Sequence, residues 1–492
     1  MTFTLLPSEM SSEMSSQMSG PSEPTFRLPR QDTPARAFHR IAAGLAAELD
    51  GRLVRPGDAR WDEARTAWHL DVDQRPTAVV VAESVRDVVT VVDTARALGL
   101  RVAPQSTGHN AAPLGDLQDT ILLKTSAMRS VEIDPVARVA RAEAGALWMD
   151  VTPAAAAHGL AALAGSAPDV GVAGYTLGGG LSWLARSHGL ASNSVVALEV
   201  VTADGEVRRI DENHEPELFW ALRGGGGSFA VVTAIEFRLY PVSEVYAGVL
   251  FFPLDRAGEV LEAWRQWLPT VPDSVTSLGR ILRFPPAPDL PPFLSGQSFV
   301  VVEAACQLSE DQAEHLLAPL RALGPAIDTF ATSPVTALSQ LHMDPPGPVP
   351  GKGDGALLRE LTAESIEALV RVAGADSSSP LLSVELRHLG GALAPGRMAG
   401  GAVSGIDAEF AAFAVGVTPT VEAAAVVESA VNGVQHALAP WTTDATYLNM
   451  AERPKSGTAL FGSDKVHDRL RAVKSAYDAG DVIRANHPVR PA

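Results

Sequence analysis

Apolar residues recur along the chain with two periods, and the switches between them mark the elements. From Thr77 the text turns apolar, and Val79, Val80 and Val81 read as a buried strand. Ser84 with Asp87 gives a capping-box signal, and a helix follows. Its apolar stripe is Val85, Val88, Val89, Val92 and Ala95, its polar face Arg86, Asp87, Thr90, Asp93 and Arg96, and its stop Gly99. Arg101 to Gln105 predicts another strand, which runs into the loop QSTGHN at 105–110. Val195 to Val201 and Glu206 to Ile210 flank Asp204-Gly205, a pair that favours a tight hairpin. Beyond Pro241 a second unit is expected. Val260, Leu261, Trp264 and Leu268 form a helical stripe, Ser298 to Ala304 a strand, and Ser309 with Gln312 another capping box. Proline and glycine crowd residues 344–355, which read as a loop, either a lid or an ordinary surface connection. A last helix carries Val466, Leu470, Val473 and Tyr477.

A chain of 492 residues exceeds the size at which a single core keeps growing, so two packed units are expected. Hydrophobic residues at 46% and charged residues at 20% place it among ordinary globular proteins. Residues 1–36, rich in Ser, Met, Pro and Glu with Met10, Met14 and Met18 spaced by four, read as a flexible tail. The formal charge of -18 would repel phosphate backbones and anionic lipid, so neither nucleic acid nor membrane is an expected partner. One cysteine, Cys306, and no recognisable export segment point to the cytoplasm.

Glycine clusters at 171–180, GVAGYTLGGG, and at 224–227, where a backbone must turn sharply or approach a ligand closely. The dinucleotide fingerprint is not met: its nearest match, Gly351, Gly353 and Ala356, follows a proline-rich stretch instead of a strand. No Walker loop, HExxH or CxxC occurs, and no histidine spacing argues for a metal. His109 follows a predicted strand beside Gly108, a pattern that by itself favours an ordinary hydrogen-bonded histidine.

The wider text changes that balance. RPTAVVVAESVRDVVTVVDTARALGLRVAPQSTGHN, then GSAPDVGVAGYTLGGGLSWLARSHGL, then LFWALRGGGGSFAVVTAIEFRLY closely resemble the FAD-binding domain of the vanillyl-alcohol oxidase superfamily, the PCMH type. The closing segment, from YLNMAERP to LRAVKSAYDAGDVIRANHPV, is similar to the end of its berberine-bridge-enzyme-like branch. The resemblance implies an α+β protein of two domains: an FAD-binding domain over 37–243, an inserted antiparallel-sheet substrate domain over 244–440, and a segment 441–492 that completes the FAD domain.

It also implies site residues. QSTGH matches the family's Arg-Ser-Gly-Gly-His loop, with His109 at the residue bonded to the flavin; Gln105 and Thr107 depart from the usual Arg and Gly. Ala167 stands where the family has a second attachment cysteine, so FAD is expected to be covalent through His109 only. The cofactor set carried over is Gln105, Ser106, Thr107, Gly108, His109, Asn110, Pro168, Asp169, Val170, Gly171, Gly174, Thr176, Gly178, Gly179, Gly180, Val232 and Asn449. Val170 sits where the family controls oxygen access, or else packs in a core; its size is similar to that of oxygen-reactive members. Tyr175 takes the place of a family histidine near the flavin pyrimidine edge. Tyr447, in the family's Tyr-x-Asn pattern, is the candidate base and would need a lowered pKa, or is a buried tyrosine bonded to backbone. On LLSVELRHLGGALAPG, Glu385 and Arg387 share one strand face and His388 takes the other; Pro395, near the plant enzyme's catalytic Glu, argues against ring-closure chemistry. The resemblance implies a hydride-accepting oxidase of a small alcohol, sugar or secondary-metabolite hydroxyl, with O2 as acceptor; a dehydrogenase or a silent flavin-binding protein is the alternative.

Overall fold

The computed structural model describes residues 33–286, 288, 292–345 and 347–492. The expected tail lies outside the described residues up to residue 32, together with its methionine repeat. Its last part is corrected. The chain is helical over Pro34–Glu48, because Phe38, Ala42 and Leu45 recur on one face and join Val88, Val91 and Val92 in one core.

Two sheets build the first unit. In one, the strands run in the order Arg52–Val54, Ala78–Val81, Thr120–Lys124, Arg101–Gln105, the first pair antiparallel and the other two parallel. Helix Val85–Leu98 connects two of them. Ser84 Oγ caps it by accepting from the Asp87 amide, and Gly99 ends it at φ 68°. The Asp87 carboxylate accepts from the amides of Glu83, Asp50 and Gly51, so it also pins the preceding turn. The second sheet is antiparallel, in the order Val131–Asp134, Val139–Glu143, Val231–Arg238, Val195–Val201, Val207–Ile210. Its Asp204-Gly205 hairpin turns at Gly205, φ 85°.

An eight-stranded antiparallel sheet begins at Glu244–Pro253. Helices Ala257–Trp267, Glu310–Arg321, Ala363–Ala373 and Val421–Leu438 bury Trp264, Leu317, Leu369 and Val431 against one face. On the other face, looking toward the first unit, Leu278 lies level with Glu303 and Arg387, and Arg280 with Glu385. Strand alternation puts these charges on the side away from the helices.

The reading of 344–355 as a loop is corrected in its second half. Gly351–Leu358 is an edge strand paired along its length with Phe410–Val417. Its glycines answer a packing demand: a Cβ at Gly353 would lie 2.7 Å from Phe413, and one at Gly355 2.6 Å from Met450. The strand is smooth so that the closing segment can lie against it.

That segment returns to the first unit. Val102 donates to Val482 O at 2.7 Å and receives Arg484 N at 2.8 Å, adding the chain's end to the parallel sheet. Lys474, fully buried on helix Asp464–Tyr477, donates to Ser228 O and Ile483 O and pairs with Asp478. Removing one partner of a buried pair leaves the other charge uncompensated, so Lys474→Met is expected to cost ~3–5 kcal/mol of stability. A urea midpoint unchanged from the parent would show that this anchor contributes nothing. Among the described residues no helix is long and apolar enough to cross a membrane.

Candidate active site

The loop after strand Arg101–Gln105 is held from beneath. Lys124 donates to Thr66 O at 2.9 Å and to Gln105 Oε1, and burial pushes its pKa down to about 8. A lysine from the neighbouring strand thus meets the glutamine that opens the loop. Gly108 adopts φ 86°, and a Cβ there would lie 2.8 Å from Ala67, so the loop closes tightly over residues 67–69. Thr107 is also accommodated. Its Oγ1 lies 2.8 Å from His109 Nδ1.

His109 is clamped on its other sides. Its ring stacks on Trp68 with centroids 4.1 Å apart and planes 17° from parallel. The Trp68 indole donates to Asp169 Oδ2 at 2.6 Å, and Asp169 Oδ1 stands 3.7 Å from His109 Nε2. Burial pushes the Asp169 carboxyl up, but His109 and Trp68 outweigh it and leave the pKa below its ordinary value. Asn110 ties the loop to the chain's end, donating to Leu448 O at 3.3 Å while its own carbonyl accepts from Asn486.

The glycine loops meet this one. A Cβ at Gly171 would lie 2.6 Å from Ser106 Oγ. Pro168 O and Val170 O accept from the amides of Met149 and Trp148, which fixes the stretch containing Asp169. Val170 itself is half-buried against the core of the second sheet. Leu177 O, at the end of helix Val172–Leu177, accepts from Gly224 N at 3.1 Å and Gly226 N at 3.0 Å. Asn449 donates to Tyr175 O at 2.9 Å, and a Cβ at Gly178 would overlap its Oδ1. Gly179 and Gly180 sit at φ 121° and 79°, between Tyr447 and Tyr175. Gly174 is exposed with open space around it, and the Val232 side chain packs inside the core.

The unpaired donors and acceptors fit a large polar cofactor. Ser106 Oγ, His109 Nε2, Asn110 Oδ1, Asp169 Oδ1, Tyr175 Oη, Thr176 Oγ1 and Tyr447 Oη are all buried without a hydrogen-bond partner in the chain. Buried polar atoms in native proteins are nearly always satisfied, so seven orphans on converging loops mark the wall of a ligand site.

A cavity of about 1140 Å³ lies between the eight-stranded sheet and the closing segment, with Tyr447, Gly178, Leu357 and Phe410 in its wall. It reaches the glycine loops only at Gly178. His388 also lines it, held by Arg186; burial and that arginine push its pKa down to about 3. The lowered phenol pKa expected for Tyr447 is corrected: burial raises it, against Arg387, which pulls the other way. Tyr175 is likewise pushed well up by burial and by Tyr447.

Sequence reasoning missed Trp68, whose contact with His109 is made by the fold. It named Glu385 but missed the buried charges gathered around it. Arg280 lies 2.6 Å from Glu303, and the His342 ring stands between Asp344 at 2.7 Å and Glu385 at 2.8 Å. Asp344 in turn accepts from Ser166 at 3.0 Å, on the loop before Asp169. Burial and Arg280 oppose a charge on His342, but Asp344 and Glu303 outweigh them and raise its pKa to about 9. Isolated charges inside apolar strands, Arg280 in SLGRIL and Glu303 in VVVEAAC, were the available signal.

Residues 76–211 match the family described as FAD binding domain. (R)-6-hydroxynicotine oxidase of Paenarthrobacter nicotinovorans is 36% identical over 192 residues, 39% of this chain and 42% of that protein. An FAD-linked oxidoreductase of Bacillus subtilis is 31% identical over 235 residues, 47% and 52% of the two chains. The match thus spans about half the length of these curated relatives or less. Among solved structures, BBE-like 1 of Physcomitrella patens superposes with TM-score 0.77 at 20% identity, over 91% of this chain and 98% of its own. The 6-hydroxy-D-nicotine oxidase of Arthrobacter nicotinovorans gives TM-score 0.75 at 26% identity, over 88% and 96%.

Proposed function

We propose that this chain, which carries an FAD-binding domain within the fold of the berberine-bridge-enzyme-like oxidases, oxidises a small hydroxyl-bearing substrate and returns the electrons to O2. The observation that carries the reading is the set of seven orphaned polar atoms on the loops around His109. Ser106, Asn110, Thr176 and the glycines at 171 and 178–180 would hold the cofactor, and His109 would bond it covalently. When bound, FAD supplies the acceptor for a hydride leaving the substrate carbon.

The residues do the rest. Trp68 and Asp169 fix the His109 ring plane, so that one nitrogen is presented in one orientation. Tyr447, a residue in the wall of the large cavity, exchanges the proton of the substrate hydroxyl through its own hydroxyl. Being protonated at rest, it needs Arg387 to favour its ionised form. Asn449 positions the helix end that carries Tyr175.

The assignment of O2 rests on the resemblance at Val170. Reduced holoprotein mixed with air-saturated buffer in a stopped-flow instrument should reoxidise rapidly with release of hydrogen peroxide. A reduced protein stable in air for minutes would make the chain a dehydrogenase.

A further inference from the structure

One side chain reaches both segments that frame His109. Lys124, at the end of strand Thr120–Lys124, donates to Thr66 O at 2.9 Å and also to Gln105 Oε1. Thr66 stands two residues before Trp68, whose ring stacks on the imidazole with centroids 4.1 Å apart. Gln105 opens the loop that carries His109, and its Cδ and Oε1 lie 3.0 Å from where a Cβ would stand on Gly108. The two segments are also joined to each other. Trp68 N donates to Thr107 O at 2.9 Å and His69 N to Gly108 O at 3.4 Å, while Thr107 Oγ1 lies 2.8 Å from His109 Nδ1.

An ammonium is a costly way to make this junction. Lys124 is 7% exposed and Gln105 8%, both acceptors are neutral, and burial pushes the lysine's pKa down to about 8 with no carboxylate to oppose the shift. The other residues of the strand, Thr120, Ile121, Leu122 and Leu123, are buried as well, so an apolar side chain at 124 would cost the sheet less. What the cation supplies is reach. A single Nζ with three N–H donors holds two oxygens that belong to distant stretches of the chain.

We infer that Lys124 is the positioning residue for covalent attachment of FAD: it draws residues 66–69 against 105–110 and so fixes the His109 ring, between Trp68 and Thr107, in the orientation from which the bond forms. The inference rests on the proposed attachment at His109. In that step an imidazole nitrogen gives up its proton and bonds to the flavin 8α-methyl carbon, which loses one hydrogen as a proton. The electron pair of the broken C–H bond stays in the flavin, and O2 removes it with two protons as hydrogen peroxide. Lys124 bonds to Thr66 and Gln105 and acts on His109 only through them.

The full-length chain, produced flavin-free under riboflavin limitation and then mixed with FAD in air, reads the step as flavin fluorescence that survives acid precipitation. Lys124→Met should form the bond at least tenfold more slowly than the parent, within the ~100-fold that an ångström of misplacement can cost. Lys124→Arg, which keeps the cation, should recover part of the rate. FAD affinity, measured by fluorescence quenching in His109→Ala with and without Lys124→Met, should be the same in both. If the methionine at 124 lowers the thermal midpoint to the point of unfolding, Gln105→Met, which removes the acceptor and leaves the lysine, should show the same slowing. The parent rate in a folded Lys124→Met or Gln105→Met, or an affinity that falls in step with the rate, overturns the inference. A parent that forms no acid-stable flavin fails the attachment at His109 itself, whereas a parent that forms it no faster than the variants fails this inference alone.

Discussion

Replacing Tyr447 by phenylalanine is expected to slow cofactor reduction by a hydroxyl substrate by ~100-fold or more, the range of a lost acid-base group. The hydride cannot leave the substrate carbon without its hydroxyl proton going elsewhere. Tyr447 is the phenol that both borders the large cavity and faces the glycine loops at Gly179. Its ring is buried among Leu181, Leu190, Leu357 and Ile406, so phenylalanine fills the same space and the change isolates the hydroxyl. Single-turnover reduction under anaerobic conditions reads the step directly. An unchanged rate would remove Tyr447 from the chemistry, and a raised KM with an unchanged reduction rate would reduce it to a substrate-binding donor.

His109→Ala should abolish covalent retention of flavin without abolishing FAD binding. The parent protein, denatured and acid-precipitated, is expected to give a yellow pellet and a colourless supernatant; the variant should reverse the two. The loops that cradle the cofactor are held by their own bonds, Gly224 and Gly226 to Leu177 O and Asn449 to Tyr175 O, and do not depend on the imidazole. No second cysteine offers an alternative. Cys306, the chain's one cysteine, is buried in the core between the large sheet and its helices. A variant pellet as yellow as the parent's would transfer the bond to a residue outside this account.

Where the fold is set locally, the sequence expresses it. The Val85–Leu98 helix carries its stripe, its Ser84 cap and its Gly99 stop within sixteen residues, and the Asp204-Gly205 hairpin is written in two. The strand Gly351–Leu358 was hidden because its glycines answer to Phe413 and to Met450, far along the chain. The site follows the same division. The loops at 105–110 and 165–180 have motifs that can be matched, whereas Trp68 reaches His109, and His342 reaches Glu385, only through the tertiary arrangement. The pKa of Tyr447 illustrates the limit: a motif places the phenol, but its burial is a property of everything packed around it.

The visible spectrum of the purified chain bears most directly on the claim that these loops close on a flavin. Yellow protein with flavin absorption bands, part of the colour surviving acid precipitation, is the predicted result. Protein that is colourless as purified and remains so after incubation with added FAD would contradict it.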